Sequence, residues 1–405
     1  MSRQSKQRRI WLVKITVHYI LLGIFKVSYG AYLILAYRAK LIKEPGFKLR
    51  GPSLMLANHC NTFDGFFIQG LVGRPIHYVI SDGVFKNPNV RKIFSVVNYI
   101  PKKKFVSDTK AIKQIIRISQ NGGVIGIFPE GRRCWDGKTV KIAPATFKLV
   151  KLLKIPVVTA NMRGAYLSEP RWSKSQRFGK IEIDIKTLID AETLADMSLE
   201  QIEKTISDEL YHNEYDWQES RKIAFRGKAL AEGFEALLYT CPQCGAMDSF
   251  VTSGSEINCK QCDALYVIDK YGYLHSKRGL LPSGRVDELN EWQLTKLKEI
   301  YAKLQSDQDV YMTNPGALLT SAIDVAHPFM EAARGSISIA KDGLRIGDKK
   351  FDLADVYGVA VNMSSHVSFR HKSMDYRVSF DNNQFSVYKW CRIIKIFIGN
   401  MEEAI

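Results

Sequence analysis

The sequence has no uninterrupted apolar run long enough to cross a membrane. Its most apolar region, residues 10–37, is interrupted by Lys14 and Lys26, so the two longest charge-free stretches have eleven residues each. A spanning helix needs about 20 residues. The region also lacks a small-residue cleavage site and is followed by a basic stretch, which argues against a secretory signal. Two interpretations remain: an interfacial helix or shallow helical hairpin on a membrane, which we expect, and an ordinary buried helix.

Acidic residues are nearly absent from the first fifty positions. These positions hold eleven Lys and Arg against the single acid Glu44, and so carry +10 of the formal net charge of +17. Such a basic end favours an anionic partner, either a nucleic acid or the anionic face of a membrane. Trp11, Tyr19 and Tyr37 lie among the charges and favour the membrane, because aromatic rings prefer the level of the head groups.

Cysteine is also scarce, at seven of 405 residues, and three of the seven are scattered without forming a disulfide framework. The other four form two Cys-x2-Cys knuckles separated by fourteen residues: Cys241, Cys244, Cys259 and Cys262. Knuckles of this kind predict a zinc ribbon, in which four thiolates fill a tetrahedral and therefore structural site. Two disulfides or a redox pair are the alternatives, and a reducing cytosol disfavours disulfides. Lys260 stands almost alone near the knuckles, so nucleic acid is not an expected partner.

From residue 46 to about 211, strand-like and helix-like runs alternate. Strands are predicted at 53–57, 77–80, 124–128, 157–162 and 180–185, and helices at 90–97, 109–120, 145–153 and 199–211. This alternation predicts an α/β domain with a largely parallel sheet. In such a sheet, functional sites gather at the carboxyl ends of the strands.

Two polar motifs follow predicted strands. Asn-His-Cys-Asn-Thr-Phe-Asp-Gly occupies 58–65, and Phe-Pro-Glu-Gly-Arg-Arg occupies 128–133. A histidine oriented by a carboxylate can act as a general base, so His59 and Asp64 are a candidate pair. Residues five apart lie about 140° around a helix; a turn must therefore bring these two side chains together. His59 and Glu130 are both expected at one edge of the sheet.

Four ordered blocks make residues 46–211 resemble the glycerolipid acyltransferase family, which includes 1-acyl-glycerol-3-phosphate acyltransferases. The first block, Asn-His-x4-Asp, is at 58–64, and the third, Phe-Pro-Glu-Gly-x-Arg-Ser, is at 128–134 with Cys134 in place of the serine. The second block normally leads to an arginine and resembles Tyr-Ile-Pro-Lys-Lys-Lys at 99–104, where Lys104 holds the arginine's place. The fourth block resembles Ile-Pro-Val-Val-Thr-Ala at 155–160.

The resemblance implies a membrane-associated O-acyltransferase of phospholipid synthesis. It would transfer a fatty acyl group from acyl-CoA or acyl-carrier protein to a glycerol-phosphate-type lysophospholipid acceptor such as 1-acyl-glycerol-3-phosphate. His59, oriented by Asp64, would remove the proton of the acceptor hydroxyl. The chain has no Gly-x-Ser-x-Gly elbow. Cys60 is expected to be a packing residue, because neighbouring side chains usually diverge, and we expect direct transfer.

The same resemblance implies that Glu130 and Gly131 help to hold the acceptor. Charge alone would instead make Glu130 a partner of Arg132 or Arg133. The cations that a phosphate-bearing acceptor requires would come from Arg133 and from Lys102, Lys103 and Lys104. A solvated loop is the alternative interpretation of the lysine run.

The predicted domain order is basic and apolar membrane-associating helices at 1–45, the acyltransferase domain at 46–235, the zinc ribbon at 236–282, and a helix followed by a mainly β domain at 283–405. The stretch 214–236 is predicted to be a helical linker. After a helix at 286–304, short β runs start at 337, 343, 350, 358, 367 and 376, and a helix covers 386–401. That element order loosely resembles a pleckstrin-homology-like barrel.

We expect the protein at the cytoplasmic face of a membrane, peripheral or anchored by its N-terminal helices. The alternative is a catalytically inactive lipid-binding or tethering protein that uses the ribbon and the C-terminal domain to bind partners. The joint presence of His59, Asp64, Glu130 and Arg133 argues against that alternative.

Overall fold

The computed structural model describes residues 3–81, 97, 99–102, 108–323, 327–362, 365–381 and 385–399. The chain divides into an N-terminal unit, Met1–Pro170 with Arg177–Arg226, and a C-terminal unit, Arg171–Gln176 with Gly227–Ile405. The finer boundaries that the sequence suggests, at residues 46, 236 and 283, stay predictions.

The N-terminal unit alternates strands and helices along most of its length. Its described helices are α1 (Arg3–Val27), α2 (Tyr29–Ala36), α3 (Asp64–Leu71), α4 (Thr109–Gln120), α5 (Pro144–Leu153), α6 (Ala165–Ser168), α7 (Ala191–Asp196), α8 (Leu199–Leu210) and α9 (Glu214–Arg221). Its described strands are β1 (Lys40–Lys43), β2 (Ser53–Ala57), β3 (Ile76–Ser81), β4 (Ile100–Lys102), β5 (Val124–Ile127), β6 (Val157–Arg163) and β7 (Glu182–Ile189).

These strands form a sheet in the order β1-β7-β6-β2-β5-β3-β4. The β6–β7 pair is antiparallel, and the other pairs described in this sheet are parallel. All five residues of β2 are buried, as expected for a central strand of a parallel sheet covered on both faces. The predicted α/β class with a largely parallel sheet is confirmed, and the carboxyl ends of β2 to β6 share one edge.

A local sequence signal explains where helix α4 begins. The Asp108 side chain accepts hydrogen bonds from the N–H groups of Lys110 and Ala111, so α4 starts where a capping residue precedes its first turn. The helix predicted at 90–97 lies outside the described residues apart from residue 97. The helical linker predicted at 214–236 is helical only in α9 and in a short 3₁₀ turn at Phe234–Ala236, because Lys222 adopts a left-handed conformation and ends α9.

Helices α1 and α2 are bent against each other by 43°. Among the described residues no single helix is long and apolar enough to span a membrane, although this bent pair passes the same length and composition criteria together. Leu33 and Tyr37 are buried and anchor the pair within the unit. Many other apolar side chains of the two helices are exposed: Leu12, Val13, Tyr19, Ile20, Ile24, Val27, Tyr29, Tyr32 and Leu35.

The C-terminal unit contains two antiparallel sheets. Strands β8 (Phe250–Ser253), β9 (Glu256–Cys259), β10 (Leu265–Ile268) and β11 (Leu274–Arg278) form the first, in the order β11-β10-β9-β8. Helix α10 (Val286–Ala302) follows. The second sheet is made of β12 (Met312–Ala322), β13 (Met330–Ala340), β14 (Gly343–Ile346), β15 (Lys349–Phe351), β16 (Val356–Asn362), β17 (His366–His371) and β18 (Met374–Phe380). Helix α11 (Val387–Phe397) is the last described element.

The second sheet has the order β15-β14-β13-β12-β18-β17-β16. Every residue of α11 is buried, which places this helix inside the core of the unit rather than on its surface. The mainly β character predicted for the C-terminal region is confirmed. Its likeness to a pleckstrin-homology barrel stays an interpretation based on the element order.

Candidate active site and metal-binding cluster

A tight turn between β2 and α3 brings His59 to Asp64. Nδ1 of His59 lies 2.8 Å from Oδ2 of Asp64, and Asp64 is the first residue of α3. The same oxygen accepts the backbone N–H groups of Cys60 at 2.7 Å and Asn61 at 2.9 Å. Asp64 is fully buried, whereas the His59 side chain is 25% exposed. The buried Asp64 therefore orients the imidazole ring through Nδ1. Nε2 lies outside this hydrogen bond and can take up a proton.

Two asparagine side chains hold this turn against the rest of the N-terminal unit. Asn58 donates to the carbonyl of Met162 at 2.9 Å and accepts the N–H of the same residue at 2.7 Å. Asn61 donates to the carbonyl of Ala165 and to the hydroxyl of Ser168. Because Asn58 and Asn61 are fully buried, these bonds replace water and fix the loop firmly.

Aromatic rings support one face of the His59 imidazole. The Phe128 ring stacks on it with centroids 4.5 Å apart, and the Tyr78 ring stacks on Phe128 at 5.9 Å. The Tyr78 hydroxyl donates to the carbonyl of Gly65 at 3.1 Å. Gly126 makes room for Tyr78, since a Cβ at Gly126 would lie 2.6 Å from that ring. The stack limits how far the imidazole can tilt.

Glu130 lies at the same edge, as predicted from the two strand ends, and its carboxylate faces inward. One oxygen accepts the backbone N–H of His59 at 2.8 Å, and the other accepts the N–H of Val140 at 2.9 Å. Burial raises the pKa of Glu130 to about 8, while the two N–H donors and the charge of Arg132 act in the opposite direction. Glu130 thus contacts the backbone of the candidate base directly.

The basic residues predicted to bind phosphate are less well defined by the structure than His59, Asp64 and Glu130. Gly131 has a left-handed φ of +67°, which a residue with a side chain adopts only with strain, and it turns the chain into the loop that carries Arg132 and Arg133. Both arginines are half-buried. Lys102 is exposed at the carboxyl end of β4. Lys103 and Lys104 lie outside the described residues.

Cys60 and Cys134 form a buried pair under the turn. The interaction with the Cys134 thiol, together with burial, raises the pKa of Cys60 well above its usual range. The backbone N–H of Cys134 donates to the carbonyl of His59 at 3.1 Å. A thiol that is buried and hard to ionise is a poor nucleophile, which supports packing as the role of Cys60.

The sequence did not single out every side chain that supports the site. The Thr62 N–H and hydroxyl both donate to Glu169, a residue more than one hundred positions away with no local signature. Phe128 carried a signal, since an aromatic residue directly follows β5, but its stacking role was not predicted. Tyr78 lies in a predicted strand without any mark of its place beside Phe128.

The four knuckle cysteines of the C-terminal unit come together as predicted. Their Sγ atoms all lie within 4.8 Å of one another, with 3.8 Å between Cys241 and Cys262 and 3.9 Å between Cys244 and Cys259. A tetrahedral zinc with Zn–S bonds of about 2.3 Å places its sulfurs about 3.8 Å apart. The cluster could therefore hold a metal ion.

Comparisons with known proteins agree with these observations. Residues 38–163 match the model of the family described as Acyltransferase. Over 115 residues the chain is 24% identical to the chloroplastic 1-acyl-sn-glycerol-3-phosphate acyltransferase BAT2 of Brassica napus, and 23% identical to the chloroplastic LPAT1 of Arabidopsis thaliana. These matches cover 28% of this chain, and 33% and 32% of the two relatives, so the chain spans about a third of their length.

A solved structure is also similar. The 1-acyl-sn-glycerophosphate acyltransferase PlsC from Thermotoga maritima is 20% identical, with a TM-score of 0.41 over 55% of this chain and 84% of that one.

Residues 38–163 are thus an acyltransferase domain. Over 115 residues the chain resembles the 1-acyl-glycerol-3-phosphate acyltransferases, and the resemblance that its motifs suggested is confirmed.

Proposed function

We propose that this protein is an O-acyltransferase that acylates a lysophospholipid of the 1-acyl-glycerol-3-phosphate type in phospholipid synthesis. The observation that carries the proposal is the 2.8 Å contact between His59 Nδ1 and the buried Asp64 carboxylate, at the sheet edge where Glu130 meets the backbone of His59. The matched acyltransferase domain supports the same reaction class.

The reaction follows from the orientation of the imidazole. With Nδ1–H donating to Asp64, Nε2 of His59 takes the proton of the acceptor hydroxyl as that oxygen attacks the thioester carbonyl. The C–S bond breaks, and the imidazolium returns the proton to the leaving thiolate. The buried charge of Asp64 stabilises the imidazolium in between, and such assistance typically contributes ~10²–10⁴ in rate. The donor is acyl-CoA or acyl-carrier protein, both of which carry the thioester that this step needs.

Cations of the second and third motifs would bind the acceptor phosphate. Arg133 lies three residues after Glu130, on the loop that begins at Gly131, and Lys102 ends β4 at the same edge of the sheet. A guanidinium binds phosphate through paired charged hydrogen bonds. Lys103 and Lys104 belong to the same proposed set by resemblance.

We propose that α1 and α2 bring the enzyme to the cytoplasmic face of an anionic membrane. Ile20 and Ile24 are each 57% exposed and Leu35 is 76% exposed, an unusual amount of apolar surface for helices facing water. The basic residues of the first fifty positions would contact anionic head groups. Apolar burial and charge attraction would then act together.

We propose that the cysteine cluster holds a structural zinc ion. Cys241, Cys244, Cys259 and Cys262 would be its ligands, because their spacing fits a tetrahedron of sulfurs. The ion would supply fold stability and no step of acyl transfer, since four thiolates leave no position open.

The purified protein tests this function directly. It should be incubated with labelled acyl-CoA or acyl-carrier protein and a panel of lysolipids that differ in the head group. We expect acylation of the phosphate-bearing acceptor and little acylation of a neutral monoacylglycerol. Absence of transfer to any lysolipid, with binding to them retained, would favour the lipid-binding or tethering alternative.

A further inference from the structure

Glu130 is hydrogen-bonded to the backbone of the candidate base, His59. Its two carboxylate oxygens accept the N–H groups of His59 and Val140, at 2.8 Å and 2.9 Å. The residue is 92% removed from solvent, with 8% of its surface exposed. A carboxylate offers only acceptor atoms, so it is suited to two converging N–H donors. Both oxygens are already bonded to these N–H groups of the protein, so the side chain is engaged with the backbone and not with an acceptor.

The loop after β5 binds both backbone groups of His59. The N–H of His59 donates to Glu130, and its carbonyl accepts the N–H of Cys134. Asp64 and Phe128 restrain the ring of His59. The two backbone hydrogen bonds restrain the position of its Cα as well. Through Val140, Glu130 also closes the segment that carries Arg133.

We infer that Glu130 is a positioning residue for His59, which sets the backbone of the base, and that it does not bind the acceptor. This inference rests on the proposed function for its kinetic part only. A displacement of the reacting groups of about 1 Å can cost on the order of 10² in rate. The loss of Glu130 should therefore appear in kcat rather than in the acceptor KM.

Glu130→Gln is the sharpest variant because it keeps the shape of the side chain. Glutamine has one acceptor oxygen and one NH₂ group, so whichever way the amide turns, the NH₂ faces either the N–H of His59 or that of Val140. The matched control is Glu182→Gln. Glu182 is also buried, on β7, where its carboxylate accepts a hydrogen bond from Lys180, and it has no part in the proposed site.

We expect Glu130→Gln to lower kcat by about 10²-fold with the acceptor and donor KM values near those of the wild type, and Glu182→Gln to leave all three near wild type. A rise in the acceptor KM with kcat retained would overturn the inference, because it would show that Glu130 holds the acceptor. An unchanged kcat would overturn it as well.

A spectroscopic readout keeps this test independent of activity. In protein labelled with ¹⁵N-histidine, the His59 amide is identified by its absence from His59→Gln. An amide that donates to a carboxylate resonates downfield, and we expect its signal to move upfield in Glu130→Gln while it stays in place in Glu182→Gln. A signal that does not move would contradict the inference. If the wild type transferred no acyl group, the proposed function would be wrong. The amide signal would still show whether Glu130 accepts the His59 N–H.

Discussion

At the scale of single residues, the site depends on how many groups restrain one imidazole. Asp64 bonds to Nδ1 of His59, Phe128 stacks on the ring, and Glu130 bonds to the backbone N–H. Asp64 also accepts two further N–H groups from the turn, so its position is overdetermined. A base that is held in this way reacts without first reorganising its surroundings.

Cys60→Ala tests whether transfer is direct. Cys60 is buried and the pKa of its thiol lies well above its usual range, so we expect the variant to transfer acyl groups at nearly the wild-type rate and to lose only some stability. Steady-state kinetics together with mass spectrometry of quenched reactions provides the measurement. Cys134→Ser, which restores the serine that the family motif has, is the control. An acyl group found on Cys60 in the wild type would contradict direct transfer.

The residues to which we assign a chemical role could be proposed from the sequence, whereas the residues that surround and support them could not. His59, Asp64, Glu130 and Arg133 belong to motifs with fixed spacing. By contrast, the stack of Tyr78 on Phe128 joins two strands that are fifty positions apart. Contacts of that kind depend on the order of the strands in the sheet, which cannot be derived from a single sequence.

At the scale of elements, the segments with a clear sequence pattern were predicted well and the irregular ones were not. Helix α4 and strand β2 have the predicted bounds, because α4 is amphipathic and follows the capping residue Asp108, and β2 is a short continuous apolar run. Strand β12 was missed, because Pro315 and Gly316 lie within it, and the register shifts between Asn314 and Ala317. Proline and glycine normally argue against a strand interior, but the bulge tolerates them here.

The exposed surface of α1 and α2 yields a prediction at this scale. The triple variant Ile20→Ser, Ile24→Ser and Leu35→Ser should lose binding to anionic vesicles by a factor of ten or more, because full burial of each such side chain contributes about 1.5–3 kcal/mol. Sedimentation with vesicles measures this binding. Deletion of residues 1–45 is a weaker test, since it would also remove β1, which pairs with β7.

The control for that experiment uses exposed apolar residues elsewhere. Leu152, Leu280 and Ile323 are 56%, 61% and 65% exposed, and their replacement by serine should leave vesicle binding unchanged. High salt should release the wild type only in part, since screening weakens charge attraction but not apolar burial. Full release by salt, or unchanged binding of the triple variant, would contradict the proposed membrane surface.

At the scale of the whole molecule, the chain combines an acyltransferase domain with a unit that has its own core and a cluster of four cysteines. Within the C-terminal unit the cysteine cluster is tied to the rest. Lys389 of α11 forms a buried ion pair with Asp248, which lies between the two knuckles, and Lys389 also donates to Asn314 of β12 at 3.0 Å. Loss of the metal should therefore weaken the whole unit and not the ribbon alone.

Cys244→Ser tests the metal site and this coupling together. We expect one zinc per wild-type chain by elemental analysis, loss of that zinc in the variant, and faster hydrogen exchange in both the ribbon and α11. Acyl transfer should persist, because the His59 site lies in the N-terminal unit. Cys391→Ser, in α11 and outside the cluster, should keep its zinc. Zinc retained in Cys244→Ser, or absent from wild type prepared without chelator, would contradict the proposed zinc site.

The central claim is that His59, oriented by Asp64, is the base of an acyl transfer reaction, and one measurement tests it most directly. The initial rate of acylation of a 1-acyl-glycerol-3-phosphate-type acceptor should be compared among wild type, Asp64→Asn and His59→Ala. We predict a loss of ~10²–10⁴ for His59→Ala and a smaller loss for Asp64→Asn, which keeps the base but removes the charge beside it, with both variants still folded. Near wild-type turnover by a folded His59→Ala protein would contradict the claim.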